Sequence, residues 1–253
     1  MQVFGIPTKL ISVGDNLVDV ILEALSNQGL GIDDRDLLAI ASKAVAVAQN
    51  RLVELGSIES SKKAKMLAEK HDFEPSLAEV VLQEAEKVYG GATRTLLALK
   101  SNVLVANAGV DRKNAPEGYV TLWPMNPFES AEKIRKEILA RTHKHVGVLI
   151  VDSRITPLRM GTTALAIGVA GFKPIKDCRV ETDLYGKRIY VTRHALADDL
   201  ASVAHLIMGE TTAKTPAVLI RNAPVVFSEE SDQNSMTIPA EQCLFVQSFL
   251  GNA

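Results

Sequence analysis

The sequence predicts a mixed α+β fold. Short apolar segments of strand length and amphipathic helical segments follow each other in irregular order, whereas a doubly wound sheet would need regular alternation. The 253 residues suffice to bury a sizeable core, and no repeat or low-complexity linker divides them. We therefore expect residues 1–253 to form one unit with no clean linker, in which any second subdomain is interleaved rather than tandem.

The composition excludes several classes of protein. A hydrophobic fraction of 47% and a charged fraction of 23% are ordinary for a globular chain and exclude disorder and a disulfide scaffold. A net charge of -2 and only 5% aromatic residues argue against a nucleic-acid partner. Cys178 and Cys243 form no CxxC pair, and no apolar run approaches the ~20 residues of a membrane span. We expect a cytoplasmic protein with reduced thiols and no membrane partner.

Strands are predicted where short apolar runs are bounded by turn residues. These runs cover residues 2–6, 36–41, 96–100, 103–106, 146–151, 187–192 and 217–220. Ser101 and Asn102 form the predicted turn between the third and fourth of them. The strand at 146–151 is the most apolar, and it places Asp152 at its carboxyl end.

Helices are predicted where apolar residues recur at helical spacing behind a capping residue. They run from Asp15 to about Leu25, from Ser60 to Lys70, from Ser76 to Val88, from Ser130 to about Arg141 and from His194 to Met208. Asp15 and Ser130 are the predicted N-caps. The segment 42–55 alternates only weakly, and it fits either a helix or a strand.

Three acidic residues each follow an apolar element, which makes them candidates for chemistry. Asp111 follows NAGV, Asp152 follows VGVLIV, and Glu210 follows the helix that ends in HLIMG. Hard divalent cations take oxygen ligands, and Mg²⁺ typically binds one or two carboxylates together with phosphate oxygens. Three carboxylates from separate loops would suit a nucleotide–metal site. An acid that follows a strand is, however, more often an N-cap or a surface residue than a metal ligand.

The neighbouring polar residues are less specific. The sequence contains no GxxxxGK[ST] phosphate loop, and the run GTTALAIGVAG lacks GxGxxG spacing. Arg154 and Arg159 could clamp a phosphate or a carboxylate, or they could form structural ion pairs. Ser153 could bind a metal or cap a turn. His194 and His205, placed on one helix, are more typical of core or surface histidines than of metal ligands.

Three motifs give these residues a common context. They are NAGVDRKN at residues 107–114, the run VDSRITPLRMGTTALAIGVAGFKPIKD that begins at Val151, and DLYGKRIYVTRHALADDLASVAHLIMGE at residues 183–210. Together they resemble the coenzyme F-420-0:gamma-glutamyl ligase family, over roughly residues 1–221 and in matching order. Members of that family add L-glutamate to a deazaflavin coenzyme precursor at the expense of GTP. The resemblance implies a two-domain, interleaved α+β homodimer that acts on small molecules.

The resemblance also implies a role for each matching position. Asp111, Asp152 and Glu210 match metal-binding acids and Ser153 matches a ligand of a second metal, which implies two sites for Mg²⁺ or Mn²⁺. A monovalent cation is a further candidate. Arg154 and Arg159 would position an anionic group of the acceptor during catalysis. The residues implied to contact GTP, the co-substrate, are Thr8, Lys9, Leu10, Ile11, Ser42, Lys43, Asn114, Met208, Gly209, Thr211, Thr212 and Pro216.

The sequence departs from the family pattern in several loops. Ala46–Val47 stands where a second Ser-Lys is expected, Gln49–Asn50 where Glu-Gly is expected, and Thr215 where a glycine is expected. The arginine-bearing GR after the metal aspartate is replaced by RITPLR. Two alternatives to the family reaction are therefore open. One is a paralogous amide ligase for a different small carboxylate, and the other is a non-catalytic relative that binds a nucleotide or a deazaflavin.

Overall fold

The structure, a computed structural model, describes residues 1–229 and 233–250, and it has the mixed α+β fold that the sequence predicts. The strands are β1 (Gln2–Ile6), β2 (Leu37–Ala41), β3 (Leu52–Glu54), β4 (Lys87–Ala92), β5 (Thr95–Lys100), β6 (Val103–Ala106), β7 (Tyr119–Thr121), β8 (Gly147–Ile155), β9 (Thr162–Ala170), β10 (Lys176–Asp177), β11 (Arg193–His194) and β12 (Ala217–Arg221). The helices are α1 (Leu17–Asn27), α2 (Ser42–Ala48), α3 (Lys62–His71), α4 (Pro75–Glu84), α5 (Pro127–Thr142), α6 (Leu196–Met208) and α7 (Leu244–Leu250). Helices of the described ranges all lack the combination of length and apolar character that a membrane span requires.

The chain divides into two compact units, each assembled from separate stretches. Unit 1 comprises residues 1–49, 124–153 and 162–236. Unit 2 comprises residues 50–123, 154–161 and 237–253. Each unit therefore takes its elements from distant parts of the sequence.

Unit 1 is built on a five-stranded sheet with the order β1-β12-β2-β8-β9. β12 runs antiparallel to both of its neighbours, and β2 runs parallel to β8. Helix α6 packs on β9 and β12, and α5 packs on β9. On one face the apolar side chains of the strands meet α6, and Leu37, Leu149 and Val218 join Leu200 and Ala204 in one buried core. Because helices cover the sheet, its central strands are apolar throughout rather than alternating.

Unit 2 contains the antiparallel sheet β4-β5-β6, the antiparallel pair β3–β7 and the packed helices α3 and α4. Its core joins α4 to the sheet through Val81, Leu96 and Ala98, all buried. The predicted turn between β5 and β6 is confirmed. Ser101 and Asn102 both have positive φ, at 50° and 59°. This pair of angles belongs to the type I′ turn, whose twist matches that of a hairpin.

Both N-cap predictions are wrong by a few residues. Helix α1 is capped by Asn16, whose side chain accepts hydrogen bonds from the amides of Val18 and Asp19. Asp15 lies one residue earlier. Its carboxylate instead accepts a hydrogen bond from the amide of Ser12 and forms an ion pair with Lys9. The Asp15 carboxylate therefore binds groups of the preceding loop and does not cap α1.

Helix α5 begins at Pro127, before the predicted cap at Ser130. Proline suits the first helical position because its missing N–H has no partner there anyway. The Ser130 hydroxyl donates to the carbonyl of Met125 and accepts from the amide group of Gln49. Ser130 thus lies inside the first turn of α5 and links that turn to Met125 and Gln49.

Two further predictions need correction, and one ambiguity is settled. Residues 187–192 form no strand, and the strand β9 at Thr162–Ala170 was not predicted. Helix α4 ends at Glu84 rather than at Val88, because β4 begins at Lys87. The ambiguous segment contains both structures, first helix α2 and then strand β3.

Candidate functional site

At one end of the unit 1 sheet, β1 and β2 finish and β12 begins, beside β8, which continues beyond them. β1 finishes at Ile6, which lies opposite Ala217, the first residue of β12. Ala217 lies in turn opposite Ile40 of β2. β2 finishes at Ala41, opposite Val151 of β8. The loops that leave or enter these strands therefore meet at this one end, which we call the loop edge.

The loop edge brings together most of the residues that the sequence pointed to in unit 1. Backbone hydrogen bonds join the segments, from the amide of Thr8 to the carbonyl of Lys214 at 3.0 Å and from the amide of Ala41 to the carbonyl of Pro216 at 2.8 Å. The predicted site residues in these segments are Thr8, Lys9, Leu10, Ile11, Ser42, Lys43, Asp152, Ser153, Met208, Gly209, Glu210, Thr211, Thr212 and Pro216.

Asp152 is held by a side chain from the neighbouring strand's end. The hydroxyl of Ser42, which is 4% exposed, donates to Asp152 Oδ1 at 2.9 Å. Ser42 is the first residue of α2, directly after β2, and β2 pairs with β8. β8 continues through Asp152 to Ile155, so this aspartate lies within the strand and not at its end. A strand on a packed sheet gives the carboxylate a rigid base.

Glu210 is held by two donors that the sequence did not identify. The Thr162 hydroxyl donates to Glu210 Oε1 at 2.8 Å, and His205 Nε2 lies 2.6 Å from the same oxygen. The His205 side chain is 15% exposed and that of Glu210 is 32% exposed. Helix α6 ends at Met208, and Gly209 follows with a φ of +69°, a value that favours glycine.

His194 is not on the same helix as His205, contrary to the prediction. It lies in the short strand β11, and its Nε2 is 2.6 Å from Asp199 Oδ2. Both side chains of this pair are more than half exposed. An exposed pair of this kind contributes little to stability.

The NAG motif of unit 2 forms a left-handed turn. Asn107, Ala108 and Gly109 have φ values of 53°, 52° and 75° in succession. For a residue with a Cβ this conformation costs roughly 1–2 kcal/mol, so the surrounding structure must enforce it. Asn107 Oδ1 accepts the amide hydrogen of Leu96 at 2.8 Å. A Cβ on Gly109 would lie 2.2 Å from Nε1 of the buried Trp123, so only glycine fits beneath that ring.

Asp111 follows this turn and is held by the backbone. It exchanges two hydrogen bonds with Thr121, at 3.0 and 2.8 Å, and its Oδ1 accepts the amide hydrogen of Lys113 at 2.8 Å. Asn114, the predicted nucleotide contact, follows with a φ of 61°. A cavity of about 350 Å³ beside Asp111 is also lined by Arg94 and Asn107. The left-handed turn thus fixes the direction in which this acid leaves the core.

The predicted arginines lie near the end of β8 and in its connection to β9. Arg154 is half-buried in β8, two residues after Asp152, and Arg159 is exposed in the connection to β9. The stretch 154–161 groups with unit 2, as do Asp111 and Asn114. The predicted site residues are therefore distributed over both units.

The metal ligands stay a prediction. Within residues 1–229 and 233–250, no group of three or more His, Cys, Asp or Glu side chains is arranged to hold a metal ion. The donors at the loop edge nevertheless fit such an ion by their chemistry. Asp152, Ser153 and Glu210 offer only oxygen atoms, the ligand type that Mg²⁺ and Mn²⁺ prefer. In both acids a protein hydroxyl already orients one carboxylate oxygen.

The structure gives a physical account of the missing lysine at position 47. Because α2 is a helix, Lys43 and Val47 lie one turn apart on the same face, and both are half-buried. Side chains four residues apart on a helix are neighbours, about 5–6 Å between Cβ atoms. Lys43 can therefore place its charge near the position that a lysine at 47 would serve.

Two other departures also keep the local backbone intact. Asn50 stands in place of a glycine with a φ of 56°, and asparagine tolerates this conformation better than most residues. Gln49 donates to Ser130 and accepts from the amide of Met125, contacts that need an amide side chain with both functions. Near Thr215, the positive φ belongs to Lys214, at 50°, so position 215 itself does not require glycine.

Comparisons with known proteins agree on one family. A family model described as F420-0:Gamma-glutamyl ligase matches residues 5–222. Relatives named Coenzyme F420:L-glutamate ligase include one from Methanopyrus kandleri, 39% identical over 214 residues, which cover 84% of this chain and 83% of the relative. The relative from Methanothermobacter thermautotrophicus is 36% identical over 87% of each chain. That from Methanocaldococcus jannaschii is 35% identical over 97% of this chain and 96% of the relative.

Proposed function

This chain belongs to the F420-0:gamma-glutamyl ligase family, and on that premise we propose that it joins L-glutamate to a deazaflavin coenzyme precursor with GTP as co-substrate. Its relatives carry the name of a ligase, so the chain is an enzyme of that general kind. The observation that carries the finer proposal is the loop edge of unit 1. Four segments that the sequence matched to nucleotide and metal contacts meet there on the ends of paired strands.

The nucleotide would be held mainly by the segments Thr8–Ile11 and 208–216. Their backbones are tied together through Thr8 and Lys214. Lys43, on the first turn of α2, would supply positive charge to the phosphates. Such charge-assisted contacts are about twice as strong as those between neutral groups.

Divalent cations would bind to the acidic residues. At the loop edge the donors are Asp152, Ser153 and Glu210, and in unit 2 Asp111 is the matching acid. A bound Mg²⁺ or Mn²⁺ would neutralise negative charge on the phosphoryl group that is transferred. Ser42 keeps Asp152 in place by its hydrogen bond to Oδ1.

The proposed reaction has two balanced steps. An oxygen of the precursor's carboxylate attacks the γ-phosphorus of GTP, the bond from that phosphorus to the β–γ bridging oxygen breaks, and GDP leaves. The amine of L-glutamate then attacks the carbonyl carbon of the acyl phosphate, phosphate leaves, and the nitrogen loses a proton. Arg154 and Arg159 would hold an anionic group of the acceptor during both steps. The chain needs no covalent nucleophile of its own.

Mass spectrometry tests this proposal. We expect a product heavier by one glutamate residue when the protein is incubated with the deazaflavin precursor, L-glutamate, GTP and Mn²⁺. Replacing GTP with ATP, and the precursor with other small carboxylic acids, separates the family reaction from the paralogue. Product from another acid alone would identify a paralogous ligase, and absence of any nucleotide-dependent product would favour the non-catalytic alternative.

We also propose that the enzyme is a homodimer. Between β10 and β11 the chain exposes five apolar or aromatic side chains within one segment, namely Val180, Leu184, Tyr185, Tyr190 and Val191. Contiguous exposed apolar groups mark interaction surfaces, and tyrosine is enriched at such surfaces. A second copy of the chain would cover them. Light scattering should give twice the chain mass, and Leu184→Asp should shift it to the monomer, whereas Leu206→Asp, at an exposed residue of α6, should not.

A further inference from the structure

We propose that His205 is a positioning residue, which together with Thr162 fixes the orientation of Glu210 toward a divalent cation. This inference rests on the proposed function, because it assumes that Glu210 is a metal ligand. It goes beyond the family resemblance, since the pattern A-x-L-x-x-G-E that matches residues 204–210 leaves the position of His205 unspecified.

The geometry at Glu210 is specific. His205 Nε2 and Thr162 Oγ1 both contact Oε1, at 2.6 and 2.8 Å. The two donors come from different elements, the last turn of α6 and the first residue of β9. α6 and β9 pack directly on each other. Two donors on one oxygen, from two packed elements, fix both the position and the rotation of the carboxylate.

This arrangement matches what metal ligands require from their surroundings. A carboxylate ligand is effective when hydrogen bonds to one oxygen hold the group in the orientation that its other oxygen needs. Because His205 is largely buried, its hydrogen bond competes little with water.

The chain contains a natural comparison for this pair. His194 and Asp199 are also five residues apart, and Nε2 again lies 2.6 Å from a carboxylate oxygen. Their side chains, however, are 52% and 64% exposed, against 15% and 32% for His205 and Glu210. The contact chemistry is the same, so burial and the second donor distinguish the pair that we assign to function.

Titration of the whole chain with Mn²⁺ alone, followed by calorimetry or by electron paramagnetic resonance, tests the proposal. Loss of an outer-shell partner weakens metal binding roughly 10–100-fold, so we expect at least about a ten-fold rise in the Kd for Mn²⁺ in His205→Ala. His205→Gln keeps a donor and should restore the Kd to within about three-fold. His194→Ala should bind Mn²⁺ like the wild type. Adding His205→Ala to Glu210→Gln should cause no further loss, because both changes remove the same contact.

The outcomes separate this inference from the function on which it rests. Weak Mn²⁺ binding in Glu210→Gln combined with unchanged binding in His205→Ala would overturn the inference and leave the proposed function standing. Equal binding in the wild type and Glu210→Gln, or no Mn²⁺ binding at all, would overturn the metal assignment and the inference with it. Circular dichroism melting checks each fold. If His205→Ala does not fold, Thr162→Val can be used instead, because it removes the other donor to Glu210 Oε1. A Kd for Mn²⁺ that is unchanged both in Thr162→Val and in the double variant His205→Gln,Thr162→Val would overturn the proposal.

Discussion

The two units orient their acidic residues in different ways. In unit 1, Asp152 and Glu210 are held by side-chain donors from neighbouring elements of the sheet layer. In unit 2, Asp111 is held by its own backbone, through the bridge to Thr121 and the preceding left-handed turn. In unit 1, therefore, the side chains that orient the acids are distinct from the contacts that hold the fold together. In unit 2, one packed turn both orients Asp111 and stabilises the fold.

This difference has a consequence for mutations. A donor such as the Ser42 hydroxyl can be removed without changing the path of the backbone. Its loss should therefore lower activity much more than it lowers the free energy of unfolding. The turn at Asn107–Gly109 depends on close packing against Trp123. A substitution in this turn should therefore both lower the free energy of unfolding and displace Asp111. The following predictions test this contrast, from the largest expected effect to the smallest.

The largest effect is expected from Asp152→Asn. The change keeps the shape of the side chain and its contact with Ser42 but removes a negative charge from the proposed metal site. We expect glutamate ligation to fall by at least about 100-fold, since a metal contact stabilises developing charge by several kcal/mol. The melting temperature should stay close to that of the wild type. Asp199→Asn, at an exposed carboxylate, is the control, and an unaltered rate of Asp152→Asn at saturating Mn²⁺ would place the catalytic metal elsewhere.

In unit 2, Gly109→Ala should reduce the free energy of unfolding by about 3 kcal/mol, measured by urea denaturation. The new Cβ adds left-handed strain and also meets the Trp123 ring. Gly118→Ala is the matched control, because Gly118 has nearly the same φ, 79° against 75°, with nothing within 4 Å of an added Cβ. It should cost only about 1 kcal/mol, from backbone strain alone. Equal losses in the two variants would show that the packing against Trp123 does not hold the turn.

The smallest effect concerns helix α2. Val47→Lys should tighten GTP binding by up to about ten-fold, because one charge-assisted contact contributes roughly 1.5–3 kcal/mol before ordering costs. Repulsion from Lys43, one turn away, reduces the gain. Val47→Met is the uncharged control of similar length, and Lys43→Met should weaken binding. If titration shows no gain in Val47→Lys and no loss in Lys43→Met, this face of α2 does not contact the nucleotide.

Much of the fold could be predicted because local patterns decide it. The strands β1, β5, β6 and β12 are short apolar runs between turn residues, and they lie where the sequence places them. β9 was missed because helices α5 and α6 both pack on it. A strand that is buried on both faces shows no alternation, and TTALAIGVA resembles a loop rich in small residues. The run KRIYVT alternates like a strand, yet in the described structure its pairing amounts to an isolated antiparallel bridge between Arg188 and Thr182.

The site was predicted only in part, for a related reason. Motifs identified acids such as Asp152 and Glu210, because the chemistry of a carboxylate can be recognised in the sequence. Their supporting donors, Ser42, Thr162 and His205, could not be identified as such. Ser42 reaches an acid 110 residues away in the chain and Thr162 reaches one 48 residues away. His205 is near in sequence, but its contact depends on the turn at Gly209 and on burial against β9.

Calorimetric titration of GTP, with and without Mn²⁺, tests most directly whether the loop edge of unit 1 is a metal-dependent nucleotide site. We expect GTP to bind one site per chain with Mn²⁺ present and much more weakly without it. The Mn²⁺ dependence should disappear in Asp152→Asn, since the added metal then has lost one of its ligands. GTP binding that is absent, or that has the same affinity with and without Mn²⁺ in the wild type, would contradict this account.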